Sequence, residues 1–372
     1  MAVATTMNQA LNRLYSTTMV AMRKDLAFEI ATAKPTSMWM FNGGAVRYRS
    51  VGADYHCPVV IQDSTNVESH TEFGTYSATP EDGPDTARWD AATHEGITRA
   101  FIKLSKIEME KNSSSELQVL NLMNTKKAIA AEAAAKEFTA QLFGDKTGAS
   151  AGANDMYGFQ QFIQTLTEAQ QATANASIAG ISQGSFENWR NRYGQITSFA
   201  TNGLSTWRTV LFECSKNGTT RPDIMPTDED VYFLYEDTLL PSEQDLDLTL
   251  ADTGFESLMY RGVPVVIEDV LAGTGRTYFL TTTGKRRPKK SSFSMKKEHF
   301  AVPGKNPKAR GAESIPGVHL ILVPNHDFNL EGPYDLGAQQ AAVQWNIPFA
   351  GFPATRSLKR LGVTDFGGSA AS

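Results

Sequence analysis

Cysteine is nearly absent from this chain. Cys57 and Cys214 are the only two in 372 residues. A pair so far apart makes no disulfide framework and points to a reducing compartment. Histidine is sparse too. His56, His70, His94, His299, His319 and His326 show none of the HExxH, HxH or CxxC spacings of a zinc site. His56 beside Cys57 offers two ligands in sequence, but neighbours on a strand point to opposite faces. No stretch approaches the ~20 apolar residues that span a bilayer. Met1–Ala10 has neither the basic start nor the apolar core of a secretory signal. The sequons at Asn112, Asn175 and Asn217 therefore read as coincidental. Charge of either sign is in modest supply: the net charge of −5 and pI near 5.8 are not those of a dedicated, basic DNA-binding domain.

Motifs of enzyme chemistry are missing as well. Gly144-Asp-Lys-Thr-Gly148 lacks the spacing of a Walker A loop, and Gly273-Thr-Gly275 lacks the third glycine of a dinucleotide loop. Asp245, Asp247 and Asp252 have neither the glycine nor the closing glutamate of a calcium loop. Gly148-Ala-Ser-Ala-Gly152 and Gly180-Ile-Ser-Gln-Gly184 match the Gly-x-Ser-x-Gly pattern, but both fall in segments that read as loops and not at the strand-to-helix turn of a nucleophile elbow. These gaps argue against the common nucleotide enzymes, zinc enzymes and hydrolases. No catalytic residue, cofactor or metal ligand is assigned. A monomeric α+β enzyme with an unrecognised site stays open as an alternative.

What the chain does have is a folded protein's share of hydrophobic (41%) and aromatic (10%) residues, enough for one large or two smaller cores. Leu11, Leu14, Met22, Leu26 and Ile30 repeat at helical spacing until Pro35. The apolar cluster of Met38, Trp39 and Phe41 follows, either docked on its own domain or packed on a neighbouring subunit. Pro58–Ile61 opens a strand-like run. An acidic, Gly- and Pro-rich tip with Glu81, Asp82 and Asp85 comes next, and Ile97–Glu110 returns. Arg99, Phe101, Lys103, Ser105 and Ile107 share one parity, and Ala100, Ile102, Leu104, Lys106 and Glu108 the other. Neither face is uniformly apolar, so the hairpin reads as an arm stabilised on another subunit.

Ser113 and Glu116 have capping-box spacing. Leu117, Leu120, Met123, Ala131, Ala134, Phe138 and Leu142 predict one apolar stripe on a helix that Gly144 ends. Residues 144–156 and 169–185 read as loops around a short helix, Phe159–Thr167. A second unit starts near Ser185, with an amphipathic helix marked by Leu204, Trp207, Leu211 and Cys214. Strands are predicted over Val263–Ile267, Thr277–Leu280 and Val318–Val323. Pro264 cannot donate to a ladder, which places it at a strand start or on an edge. Helices and strands alternate without regular βαβ spacing, so the class is α+β. The basic run Lys285, Arg286, Arg287, Lys289 and Lys290 is the sharpest charge feature. It is open to three readings: a solvated loop, a nucleic-acid contact, or a contact with an acidic patch on the next subunit.

The order of these features resembles the major capsid proteins of tailed bacteriophages, the Hong Kong 97-type shell fold. The stretch carrying the resemblance best is Asp252-Thr-Gly-Phe-Glu-Ser-Leu-Met-Tyr-Arg-Gly-Val-Pro-Val-Val266, followed by Gly275-Arg-Thr-Tyr-Phe-Leu280. Pro222-Asp223-Ile224 and Tyr232–Glu236 resemble the segment before it. The resemblance implies an N-terminal helix and arm (1–57), an extended loop (58–112), and a peripheral domain (113–184) with its spine helix (113–143). An axial domain (185–340) and a C-terminal return to the peripheral domain (341–372) complete it. It implies hexamers and pentamers of this chain in an icosahedral shell around double-stranded DNA, bound without sequence specificity. Contact with a portal and cement proteins is implied too, with assembly in the host bacterial cytoplasm and no membrane. The mildly acidic balance suits a wall that must not grip a polyanion. No long charged helical region precedes the arm, which points to a separate scaffolding protein or a trimmed precursor. The same fold builds encapsulins, and a phage tail or connector subunit is a further alternative. Met38, Trp39, Phe41, Glu81, Asp82, Asp85 and the basic run are the expected inter-subunit contacts.

Overall fold

The computed structural model describes residues 33–42, 45–49, 54–59, 86–105, 107, 116–144, 152, 154–215, 221–239, 257–282, 317–335 and 342–367. The first half of the chain supplies α1 (Pro35–Asn42), β1 (Val46–Tyr48), β2 (Tyr55–Pro58), β3 (Thr86–Trp89), the single turn α2 (Ala91–His94), β4 (Gly96–Ser105) and α3 (Glu116–Phe143). Next come α4 (Phe159–Phe162), α5 (Glu168–Ala174), a small hairpin of β5 (Ser177–Ile178) and β6 (Ile181–Ser182), and β7 (Arg192–Ile196). The remainder comprises α6 (Leu204–Ser215), β8 (Met225–Thr227), α7 (Glu229–Thr238), β9 (Ser257–Tyr260), β10 (Val263–Ile267) and β11 (Arg276–Phe279), then β12 (Val318–Asp327), β13 (Glu331–Asp335), β14 (Ala342–Thr355) and β15 (Gly362–Phe366).

The long strand β14 organises the first sheet. Its first ten residues, Ala342–Gly351, pair antiparallel with the whole of β4. Its last residues pair with β12, which holds β1 in parallel on its far side, while β13 lies along β14. The helix α3 packs on β4, where Thr98 and Gln141 exchange side-chain hydrogen bonds at 3.1 and 2.9 Å. Alanine-rich sequence favours this helix, and its 28 residues make a rod of about 42 Å at about 1.5 Å per residue. Gly144 ends it: a Cβ there would sit 2.8 Å from the Ala140 carbonyl oxygen. The predicted stripe is buried at Ala131, Ala134, Phe138 and Leu142. The side chains of Leu117, Leu120 and Met123, and Ser113 of the capping box, lie outside the described residues.

This sheet changes the reading of the hairpin. The returning strand, assigned to an arm stabilised on another subunit, is part of the subunit's own sheet, and Ile102 and Leu104 are buried in its core. The reason is long-range pairing. Ile102 lies opposite Trp345 and Leu104 opposite Val343, and no local alternation announces a partner so far along the chain. The tip of the hairpin lies outside the described residues.

The second sheet runs β7-β15-β11-β8-β10-β9. On one face lie α6 and α7, which bury Trp207, Val210, Leu211, Val231 and Tyr235 around Tyr260 and Phe279. The Trp207 ring meets Tyr235 at 5.1 Å and Tyr260 at 5.4 Å. The opposite face contributes Ile224, Val266, Tyr278 and Val363 to the larger core, where Tyr278 meets Phe143 from the end of α3 at 5.5 Å. Asp228 caps α7 and also accepts hydrogen bonds from the Gly273 and Gly275 amides, tying the helix start to the β10–β11 turn.

Segment boundaries shift accordingly. Strands β12 and β13, expected in the axial unit, belong to the sheet of β14, while β15, expected to return to the peripheral unit, joins the second sheet. Residues 169–185, read as a loop, contain α5. Thr167 and Gln170 form a capping box there, a signal hidden by the polar composition of the segment. Pro264 lies in a strand flanked on both sides, by β8 and β9. It escapes the ladder penalty because the pairing with β8 begins one residue later, at Val265.

Candidate functional site

The described titratable groups with the largest shifts serve the interior. Glu268 is 1% exposed, and its Oε1 accepts from the Thr36 amide at 2.8 Å, joining the start of α1 to the second sheet. Burial pushes its carboxyl up to about 7, against the opposing pull of the Thr36 hydrogen bonds and Lys34. Lys34 itself pairs with Asp269. Tyr48 donates to Asp327 at 3.1 Å, and burial raises both groups above their ordinary ranges. Burial lowers His319 to about 3 and raises Cys57 to about 11. Cys214 is likewise pushed up by burial.

Glu268 makes stability depend on pH. Its folded-state pKa lies above the ordinary 4.5, so the folded subunit binds the proton more tightly than the unfolded chain. Stability therefore falls as pH rises from about 4.5 to about 7, by about 3 kcal/mol at about 1.36 kcal/mol per pKa unit. Glu268→Gln should flatten that slope and be at least as stable as the parent above pH 7. Melting temperatures measured from pH 5 to 8 decide it; an undiminished slope in the variant would place the titration elsewhere.

Among the described residues no group of three or more His, Cys, Asp or Glu side chains could hold a metal ion. One cavity of about 250 Å³ lies between β4, β14 and α3, lined by Arg99, Ala134, Glu137, Phe138, Phe328 and Phe349 among others. Its walls are mostly apolar, and Arg99 and Glu137 are its only ionisable lining groups.

The outer surface is more telling. On β4 the outward parity carries Ile97 and Phe101, each 60% exposed, alternating with the exposed Arg99 and Lys103. Ile129 lies exposed on α3, Phe212 on α6 is 69% exposed, and Phe233 on α7 is 47% exposed. Each sits on an element whose other side is already buried in the core. Apolar side chains left out in this way mark surfaces that a partner can cover. Phe101 stood in the sequence beside its charged neighbours, but its direction was unreadable until β14 fixed which parity faces inward. Phe212 and Phe233 were missed, although they fall opposite the buried stripes of their helices.

Of the expected contact residues, Met38 and Phe41 are buried in the subunit's own core, while Trp39 is half-buried against it. Phe41 meets Phe138 and Phe328 at 6.4 Å each. The docked-helix alternative thus describes residues 35–42, because the space between α3 and the β12–β13 turn needs these side chains to fill it. Glu81, Asp82, Asp85, Lys285, Arg286, Arg287, Lys289 and Lys290 lie outside the described residues.

No family model and no curated protein matches the sequence. Solved structures do match. A chain of the cyanophage A-1(L) capsid asymmetric unit aligns over 89% of this chain and 92% of its own, with TM-score 0.59 and 13% identity. The capsid of Myoviridae phage XM1 aligns over 87% and 90%, with TM-score 0.45 and 12% identity. The holo-SrpI encapsulin complex from Synechococcus elongatus PCC 7942 aligns over 86% and 84%, with TM-score 0.44 and 13% identity. With its helix-backed β14 sheet joined to a second mixed sheet, and with the cyanophage capsid match spanning nearly its whole length, the chain has the α+β capsid fold of the Hong Kong 97 type.

Proposed function

We propose that this chain is the major capsid protein of a tailed bacteriophage and self-assembles, as hexamers and pentamers, into the icosahedral head that encloses double-stranded DNA. The observation that carries the reading is the near full-length fold match to a cyanophage capsid chain, on a subunit that completes its core yet leaves Ile97, Phe101, Phe212 and Phe233 outside. The subunit acts by position and contact, without turnover. Its place is the virion shell, built in the host bacterial cytoplasm with a separate scaffolding protein, and later joined to a portal and cement proteins. The basic run at 285–290 and the acidic residues Glu81, Asp82 and Asp85 supply electrostatic contacts between copies. Repeated heterologous contacts that close into a shell suit this arrangement.

Size-exclusion chromatography and negative-stain microscopy of the purified chain, alone and with its scaffold, test the reading. Megadalton icosahedral particles are expected, and DNA inside particles recovered from infected or induced cells separates a phage head from an encapsulin. A stable monomer at high concentration with scaffold supplied would overturn the proposal.

A further inference from the structure

Three strands bring an unbalanced cluster of cations to one face of the first sheet. Arg47 of β1 lies in register with Ile321 of β12. His319, two residues earlier on β12, lies opposite Ala354 of β14, and Arg356 follows Ala354 by two. Residues in register share a face, and so do residues two apart on a strand, which puts Arg47 on the His319 side. Arg356, just past the end of β14, lies close enough that its charge, like that of Arg47, acts on His319. Tyr55 of β2 covers this side, its hydroxyl 2.9 Å from His319 Nε2 and its ring edge-on to the imidazole at 5.2 Å. His319 Nδ1 lies 3.2 Å from the Gly317 carbonyl. That nitrogen must carry the proton, since a carbonyl only accepts, so Nε2 accepts from the Tyr55 hydroxyl. Burial keeps the imidazole neutral, which leaves the two guanidinium groups as the cluster's charge.

Neither arginine has a carboxylate partner among the described residues, and in both the Nε is buried without a hydrogen-bond partner. Other arginines differ: the Arg49 and Arg192 guanidinium groups meet carboxylates, Glu95 and Glu168 respectively, and Arg276 lies opposite Asp365 of β15. Two arginines sharing one half-buried site without an anion are disfavoured in the lone subunit and await one. A planar guanidinium suits a carboxylate, which it can bind through two parallel hydrogen bonds.

The chain carries a matching segment. Residues 60–85 contain Asp63, Glu68, Glu72, Glu81, Asp82 and Asp85, with no Lys or Arg anywhere between Arg49 and Arg88. We infer that Arg47 and Arg356, framed by Tyr55 and His319, form a carboxylate-binding site that receives an acidic side chain from residues 60–85 of a second copy of this chain. The inference rests on the shell reading and gives one inter-subunit contact both its acceptor and its donor.

The test is the full-length Arg47→Met/Arg356→Met variant, compared with wild type for the melting temperature of the unassembled subunit and for shell yield. Removing two unsatisfied buried Nε groups should leave the subunit's melting temperature unchanged or raised, while shell yield drops at least tenfold. Wild-type shells should loosen between 0.1 and 1 M salt, over which the Debye length falls from about 10 Å to about 3 Å. Arg356→Glu should likewise block assembly, and a Lys placed at one of the six acidic positions should restore it. Normal shells from the double Met variant, alongside normal wild-type shells, would overturn this inference and leave the shell reading intact. No shells from wild type under any condition would overturn both. A melting temperature lowered by more than about 5 °C would place the carboxylate within the same subunit. A defect confined to DNA-filled particles would make the anion a phosphate. Either result overturns the assignment to a second copy.

Discussion

Phe138→Asp is expected to leave no folded subunit, and so no shells. The ring is 3% exposed and makes edge-on contacts with Phe41 at 6.4 Å, Phe328 at 5.3 Å and Phe349 at 4.9 Å. It is the point where α1, α3, the β12–β13 turn and β14 meet. Deleting a buried phenylalanine side chain costs about 3–5 kcal/mol. An ionised carboxylate in the same apolar space adds several kcal/mol more unless it is paired. The sum is comparable with the whole stability of a typical domain, about 5–15 kcal/mol. Phe138→Leu, which keeps an apolar side chain there, should fold with a lowered melting temperature. Soluble yield and thermal unfolding of the two variants are the readouts. An Asp variant that unfolds cooperatively within about 5 °C of the parent would show that this aromatic junction contributes little.

The opposite pattern is expected from Ile97→Ser/Phe101→Ser: an unchanged subunit that no longer assembles. Both side chains are 60% exposed on the outward face of β4, so the lone subunit loses little when they are trimmed. Surface substitutions of this kind usually stay within about 0.5 kcal/mol. In a shell the same face is repeated in every copy. Covering a large apolar side chain contributes about 1.5–3 kcal/mol when burial is complete. Removing most of that from two side chains takes about 3 kcal/mol from each contact, or more than about a hundredfold in the concentration needed to assemble. Light scattering against protein concentration, with melting temperature as the control, measures both halves of the claim. Shells forming at the parental threshold would show that this face stays open to solvent in the particle.

How much of this was legible depended on how far apart the cooperating residues lie. The spine helix could be read from its own composition and from Gly144, because helix hydrogen bonds and capping are local. The strand runs at 263–267, 277–280 and 318–323 showed as short apolar runs for the same reason, and the order of elements along the chain was enough to suggest the capsid fold. The α5 helix was written in Thr167 and Gln170 but masked by a segment rich in Ala, Gln and Ser. Among the candidate contacts, the charge of the acidic tip and the basic run was visible at once, since charge needs no partner to be seen.

What only the tertiary structure decided was direction and partnership. The residues of β4 looked evenly mixed on both parities until Ile102 met Trp345, which turned Phe101 outward and made an arm into a sheet strand. Met38 and Phe41 became core residues when α1 found the surface of α3. Arg47, His319 and Arg356 lie in three separate stretches, and only the ladder of β1, β12 and β14 places them side by side. Sequence determines the local preferences of a chain, whereas strand register between distant segments follows from which faces can be buried together. That global condition assigns each side chain to the interior or to the surface a neighbour can reach.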